Sequence, residues 1–167
     1  LIGYRGCGKT SVGRLLANQL GWPFLDTDRL IEEGTGQTIR SIFADGRGEA
    51  FRDLETEVVL RIAQLDRHII STGGGTLLRD VNARILKQTS RLVWLTAPAE
   101  ILHERILGDI QRLKTRPVVD AHNGQCEIRS ELAERESIYA RWADCIIDTS
   151  GQSTDDLVKI LRDHLAI

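Results

Sequence analysis

The sequence predicts an α/β protein with a central five-stranded parallel sheet, helices on both faces, and a mobile segment laid over one end. Three observations carry that expectation. Short apolar runs at 1–2, 22–25, 68–72, 91–96 and 145–148 read as buried strands. Segments with helical apolar spacing separate them, and such crossovers are what parallel neighbours require. Between the first strand and the first helix stands Gly3-Tyr4-Arg5-Gly6-Cys7-Gly8-Lys9-Thr10, which fits G-x-x-x-x-G-K-[ST] at every fixed position.

Taken in order, residues 11–20 place Val12, Leu15, Leu16 and Leu20 on one helical stripe. The strand at 22–25 ends in Asp26-Thr27-Asp28. A helix then begins over 29–33 with Asp28 as its expected N-cap, and Gly34 and Gly36 break it. Helices are expected over 38–44 and 49–65, around the turn Asp45-Gly46-Arg47-Gly48. The strand at 68–72 runs into Gly73-Gly74-Gly75. Helix 80–88, strand 91–96 and helix 98–107 follow, with Pro98 near a first turn where its missing N–H does no harm. From 108 to 125 the apolar period fades; this segment holds Arg112, Lys114, Arg116 and Pro117 and reads as a mobile basic lid. A charged helix over 126–142, a strand over 145–148 and a closing helix over 153–165 complete the chain.

The length, 167 residues, suits one domain over 1–167 with a single sizeable core. A net charge of −2 gives no general attraction to nucleic acid or to an anionic membrane, and no apolar run approaches the length of a membrane span. The three cysteines, Cys7, Cys126 and Cys145, are scattered and odd in number, so a disulfide framework is not expected and a reducing cytoplasm fits. Methionine is absent and the chain starts almost inside its first motif, so the first strand is expected to lack its leading residues. A monomer is expected.

The motif has a physical logic. Its glycines let successive backbone N–H groups converge on phosphate oxygens, and the following helix points its positive end at the same anion. Gly6, Cys7, Gly8, Lys9, Thr10 and Ser11 are therefore candidates for binding ATP, Cys7 through its backbone alone. Lys9 would reach the β- and γ-phosphates, and Thr10 would ligate Mg²⁺.

Ligands of such sheets gather at the carboxyl ends of the strands. Asp26 there could hold the hydration shell of Mg²⁺, and Asp28 could accept a hydrogen bond from an attacking hydroxyl; the plainer alternative is a helix cap and a solvated charge. Gly73, Gly74 and Gly75 would let a ligand approach backbone N–H groups, or form only a flexible loop. Ser71 could approach the metal's water shell, but reads first as an ordinary strand-end serine. Arg52 and Glu55 share a helix face, so the carboxylate could orient the guanidinium toward an anionic substrate group, or the two could form a simple surface pair. Arg116 could close over the phosphates, whereas Arg105, Arg129 and Arg141 read as solvated surface. The four histidines show no metal-ligand spacing.

The ordered set resembles the shikimate kinase family over almost the whole chain. The family pattern appears as the P-loop with Val12-Gly13-Arg14-Leu15-Leu16-Ala17, the triplet Asp26 to Asp28, Ile42-Phe43, Gly48-Glu49, Phe51 to Glu55, Thr72 to Gly75, Arg116-Pro117, Glu134-Arg135 and Tyr139. The resemblance implies a P-loop kinase fold and transfer of the ATP γ-phosphoryl group to the 3-hydroxyl of shikimate, a step of chorismate and aromatic amino-acid biosynthesis. It implies Asp28 at the ring hydroxyls, Arg52 and Arg135 on the carboxylate, Glu55 orienting Arg52, and Gly74 supplying a backbone contact. It further implies Arg116 in the lid and Gln152 at adenine. Another small-molecule or nucleoside-monophosphate kinase, or a nucleotide-binding domain without turnover, is the competing expectation. Three departures from the pattern stand out: Val118-Val119 after the lid proline, Asp109 where an arginine is usual at adenine, and Ser137 before the tyrosine.

Overall fold

The structure is a computed structural model that describes residues 1–44, 46, 48–109 and 124–165. In chain order the elements are α1 (Lys9–Leu20), β1 (Phe24–Asp26), α2 (Thr27–Thr35), α3 (Ile39–Ala44), α4 (Gly48–Ile62) and β2 (Ile69–Ser71). A 3-10 turn (Thr76–Leu78), α5 (Asp80–Thr89), β3 (Val93–Thr96), α6 (Ala99–Gly108), α7 (Gly124–Trp142), β4 (Cys145–Asp148) and α8 (Thr154–Leu165) follow.

β1 and β2 pair in parallel, with Phe24 beside Ile69 and Asp26 beside Ser71. β3 and β4 also pair in parallel, with Val93 beside Cys145. Leu1 and Ile2 join the two pairs. The Leu1 nitrogen donates to the Ile70 carbonyl at 2.5 Å, and the Thr72 N–H donates to Leu1 at 3.1 Å. On the other side Ile2 donates to Val93 at 2.8 Å and accepts from Leu95 at 3.0 Å. The order across the sheet is therefore β1, β2, residues 1–2, β3, β4. The expected count of five strands is corrected: the described residues form four regular strands, and the central place is held by the Ile2–Trp94 bridge, too short to repeat a ladder.

β3 shows why helices cover both faces. Val93 and Leu95 enter one core with Val12 and Leu16 of α1 and Leu157 and Leu161 of α8. Leu92 and Trp94, on the alternate face, enter a second core with Val58, Val59 and Ile62 of α4 and Leu86 of α5. Burial on both faces is what makes β3 a continuous apolar run.

Several boundaries differ from expectation, each for a local reason. β1 continues through Asp26, whose backbone is extended (φ −117°, ψ 118°), so Asp26 and not Asp28 caps α2; its Oδ1 accepts from the N–H groups of Asp28 and Arg29. Gly34 lies inside α2, which ends at Gly36, where the left-handed backbone (φ 66°) returns an N–H to Glu32. Gly124 opens α7, earlier than expected. Of the lid segment, residues 110–123, including Arg112, Lys114, Arg116 and Pro117, lie outside the described residues.

Candidate active site

The phosphate loop is built by its packing as much as by its motif. Gly3 adopts φ 130°, and a Cβ there would stand 2.3 Å from the Leu95 carbonyl oxygen, so only glycine fits against β3. Gly8 caps α1 in the left-handed region without a side-chain hydrogen bond, and the first turn of α1 holds no acidic residue. Nothing negative in that turn competes with an anion for the helix end. Lys9 is buried; its Nζ donates to the carbonyls of Gly3 at 2.7 Å and Tyr4 at 2.8 Å. Cys7 is buried beneath the loop.

Asp26 acts in two directions. Oδ1 caps α2, while Oδ2 accepts from the Thr10 hydroxyl at 3.0 Å. These two residues, with Gly8, Lys9, Asp28, Ser71 and Thr72, line a gap of about 10 Å³ beside the loop. Ser71, expected as an ordinary strand-end residue, is buried in that wall. Thr10, Asp26, Asp28 and Ser71 offer hard oxygen donors, which fit a small divalent cation such as Mg²⁺. Among the described residues no group of three or more His, Cys, Asp or Glu side chains could hold a metal, so a cation here would depend on few protein oxygens and on the nucleotide's own.

A second cavity, of about 230 Å³, opens beside this gap and shares Arg5 and Asp28 with it. Arg52, Glu55, the glycine triplet, Glu127, Glu131 and Arg135 complete its polar wall, and Ile39, Phe43 and Phe51 its apolar one. Glu55 is buried; one oxygen accepts a hydrogen bond from Arg52 Nη1 and the other accepts from the Thr76 hydroxyl at 2.8 Å. Burial pushes the Glu55 carboxyl above the ordinary carboxylate range; Arg52 and Thr76 pull it back, and the nearby Asp28 adds to the rise. The Arg52 guanidinium lies flat against Gly75, where a Cβ would come within 2.3 Å of Nη1. The triplet is pinned from both sides. The Gly73 N–H donates to Thr27 Oγ1 at 2.8 Å, and the Tyr139 hydroxyl donates to the Gly74 carbonyl at 2.5 Å. Asp28 is likewise buried in this wall.

A third cavity, of about 290 Å³, flanks the other side of the loop, between Gly6, Cys7, Gly8, Ser11 and Gln152. Asp109 lies there too. Arg105, expected on the solvated surface, is instead part of this wall: Nη1 donates to Thr149 Oγ1 and Nη2 to the Thr149 carbonyl, both at 2.8 Å, and Nη1 reaches the Gly6 carbonyl at 3.5 Å. The structure thus brings together every sequence-derived site residue within the described set; Arg116 lies outside it. Arg5, Thr27, Thr76 and Arg105 were not marked by the sequence. Arg5 occupies a variable position of the motif, and the partners of the other three lie 21 to 99 positions away, so no local pattern announces them.

A phosphate loop at a helix N-terminus, with an acidic acceptor-side residue between it and an arginine-lined cavity, defines a nucleotide-dependent phosphotransferase of the P-loop class. The comparisons narrow the class. A model of the shikimate kinase family matches residues 5–166. The chain is 42% identical to shikimate kinase of Symbiobacterium thermophilum over 99% of its own length and 94% of that protein, and 39% identical to shikimate kinase of Moorella thermoacetica over 99% and 92%. Among solved structures it is similar to shikimate kinase from Acinetobacter baumannii in complex with shikimate, with a TM-score of 0.89 and 36% identity over 99% of this chain and 90% of that one. A gluconokinase from Sinorhizobium meliloti, at 19% identity and a TM-score of 0.67, shares the fold. The chain belongs to the shikimate kinase family.

Proposed function

We propose that this protein transfers the γ-phosphoryl group of ATP to the 3-hydroxyl of shikimate, giving shikimate 3-phosphate and ADP, in the pathway to chorismate and the aromatic amino acids. One observation carries the reading: Asp28 and Arg5 stand in the wall of both the phosphate-side gap and the arginine-lined cavity, so an acceptor hydroxyl bound in the cavity faces the phosphate loop across Asp28. The substrate is a small carboxylate bearing three hydroxyls. Arg52 and Arg135 suit the carboxylate, and Asp28 with the Gly73–Gly75 backbone suits the hydroxyls.

In the transfer the acceptor oxygen forms a bond to the γ-phosphorus while the bond to the β,γ-bridging oxygen breaks, and the hydroxyl proton passes toward Asp28. The transition state is loose, so positioning and charge neutralisation dominate and no strong base is needed. Lys9 exchanges its loop carbonyls for β- and γ-phosphate oxygens. Mg²⁺ held by Thr10, and through water by Asp26, would supply further neutralisation of phosphate charge. Arg116, carried over from the family pattern, closes over the phosphates as the lid residue. The cavity beside Gln152 receives the adenosine, with Arg105 as a base-side neighbour. The same reading takes residues 1–167 as one catalytic domain, acting as a monomer in the cytoplasm. No described helix is long and apolar enough to cross a membrane.

The deciding experiment is ADP release from ATP and Mg²⁺ with shikimate, gluconate or AMP as acceptor. Release that depends on shikimate alone is expected. Release with gluconate or AMP in its place would overturn the substrate assignment. ATP binding without acceptor-dependent release would make the chain a non-catalytic nucleotide-binding domain.

A further inference from the structure

We infer that Glu131 is the positioning residue for Arg135: it fixes one edge of that guanidinium so that the other faces the glycine triplet, and so sets the cavity's selectivity for a carboxylate. The inference rests on the substrate assignment above and adds a residue that assignment does not contain.

An arginine side chain is long and rich in rotamers, so a guanidinium that must meet a planar anion benefits from being held beforehand. Arg135, on α7, is held by Glu131 and the Tyr4 ring, with Tyr139 also beside it. Glu131, one turn earlier on the same helix, accepts from Nη2 through Oε2 at 2.7 Å. The Tyr4 ring lies beneath the guanidinium, 5.3 Å from its central carbon. Nη1, the other edge, stands 3.8 Å from where a Cβ on Gly74 would be, facing the triplet.

Glu131 is itself held. The Tyr4 hydroxyl donates to the same Oε2 at 2.8 Å, which joins the phosphate loop to α7. The Tyr4 phenol is protonated and a donor at neutral pH, and burial pushes it further up, to about 12. The Glu131 and Arg135 side chains are 30% and 19% exposed, buried enough for a fixed geometry. The design repeats that of Arg52, which has Glu55 one turn away and the Phe51 ring 5.5 Å below. Glu127 makes a looser approach to Arg5, at 3.9 Å, and lies nearer the rim. The two carboxylates along this face of α7 are thus unequal, and the one that grips an arginine is Glu131.

The test compares the full chain with Glu131→Ala and Glu131→Gln, using shikimate and its methyl ester as acceptors. Loss of one charge-assisted restraint should raise KM for shikimate about tenfold in Glu131→Ala, with kcat lowered less than about threefold. Glu131→Gln keeps an acceptor oxygen for Arg135 and Tyr4 and should recover part of that loss, to about a threefold rise. KM for the methyl ester, which offers Arg135 no carboxylate, should change little in either variant. An equal rise for acid and ester would make the role merely structural. An unchanged KM for shikimate would remove Glu131 from the clamp, and a lowered one would make it a competitor for Arg135; each overturns the inference. Calorimetric binding of shikimate gives the same ratios as Kd without turnover, so failure of the catalytic assignment and failure of Glu131's role are separate results.

Discussion

Glu55 shows how a single residue can carry opposite demands from stability and function. Its burial raises the carboxyl pKa, so the native state holds a proton more tightly than the unfolded chain does. Protonation of Glu55 therefore favours the fold below the ordinary carboxylate range, and that contribution is lost as pH rises through the raised value. Function asks the reverse, because only the ionised carboxylate grips Arg52. KM for shikimate should accordingly climb on acidification at a pH above the ordinary carboxylate range. In Glu55→Gln it should start high and show no such limb. A KM–pH series on both proteins checks this, and a limb of equal size in the variant would assign the titration elsewhere. The Arg52–Glu55 spacing was visible in the sequence, but a surface pair would have shown the same spacing. Burial and the Thr76 hydroxyl, 21 positions away, separate the two cases.

Among the elements, the glycine triplet after β2 is the most exacting. A Cβ at Gly73 would lie 2.5 Å from Asp28 Oδ1 and 3.1 Å from Glu55 Oε1. Asp28 must shift its carboxylate and Glu55 must give by a few tenths of an ångström, both without moving backbone, so Gly73→Ala should be mild for the fold and severe for the site. The melting temperature is expected to fall by less than about 4 °C, equivalent to about 1–2 kcal/mol at this size, while kcat/KM for shikimate falls at least about a hundredfold. Calorimetry and steady-state kinetics on one preparation separate the two effects, and near-normal kcat/KM would show that the triplet tolerates a side chain. The sequence offered the triplet either as a ligand-approach loop or as a flexible one. The Thr27 and Tyr139 hydrogen bonds hold it in place, and both come from other elements. The cap of α2 was misplaced for a related reason. Two aspartates two residues apart are equivalent in sequence, and the pairing of β1 with β2, which keeps Asp26 extended, decides between them.

At the scale of the whole molecule, the sheet separates two cores, and the one shared by α1, β3 and α8 can be probed at a position away from the acceptor cavity. Leu161 on α8 is fully buried against α1 and β3 and lines none of the three cavities of the site. Leu161→Ala should cost about 2–5 kcal/mol in urea denaturation. KM for both substrates should remain within about twofold, and a larger change would mean that the site depends on this core. The alternation of strands and helices, the phosphate loop and the ordered family residues are carried by the sequence itself, because periodicity and backbone-demanding glycines are local properties. So are the membership of the shikimate kinase family and the identity of the two arginines expected at the carboxylate. Tertiary structure alone decided that Leu1 and Ile2 bridge the two strand pairs, that Arg5 faces two cavities, that Arg105 leaves the surface for Thr149, and that Tyr4 of the phosphate loop meets both Glu131 and Arg135 of α7. Each of those depends on which distant backbone stands opposite a side chain, and that is set only when two helical layers close on a twisted sheet.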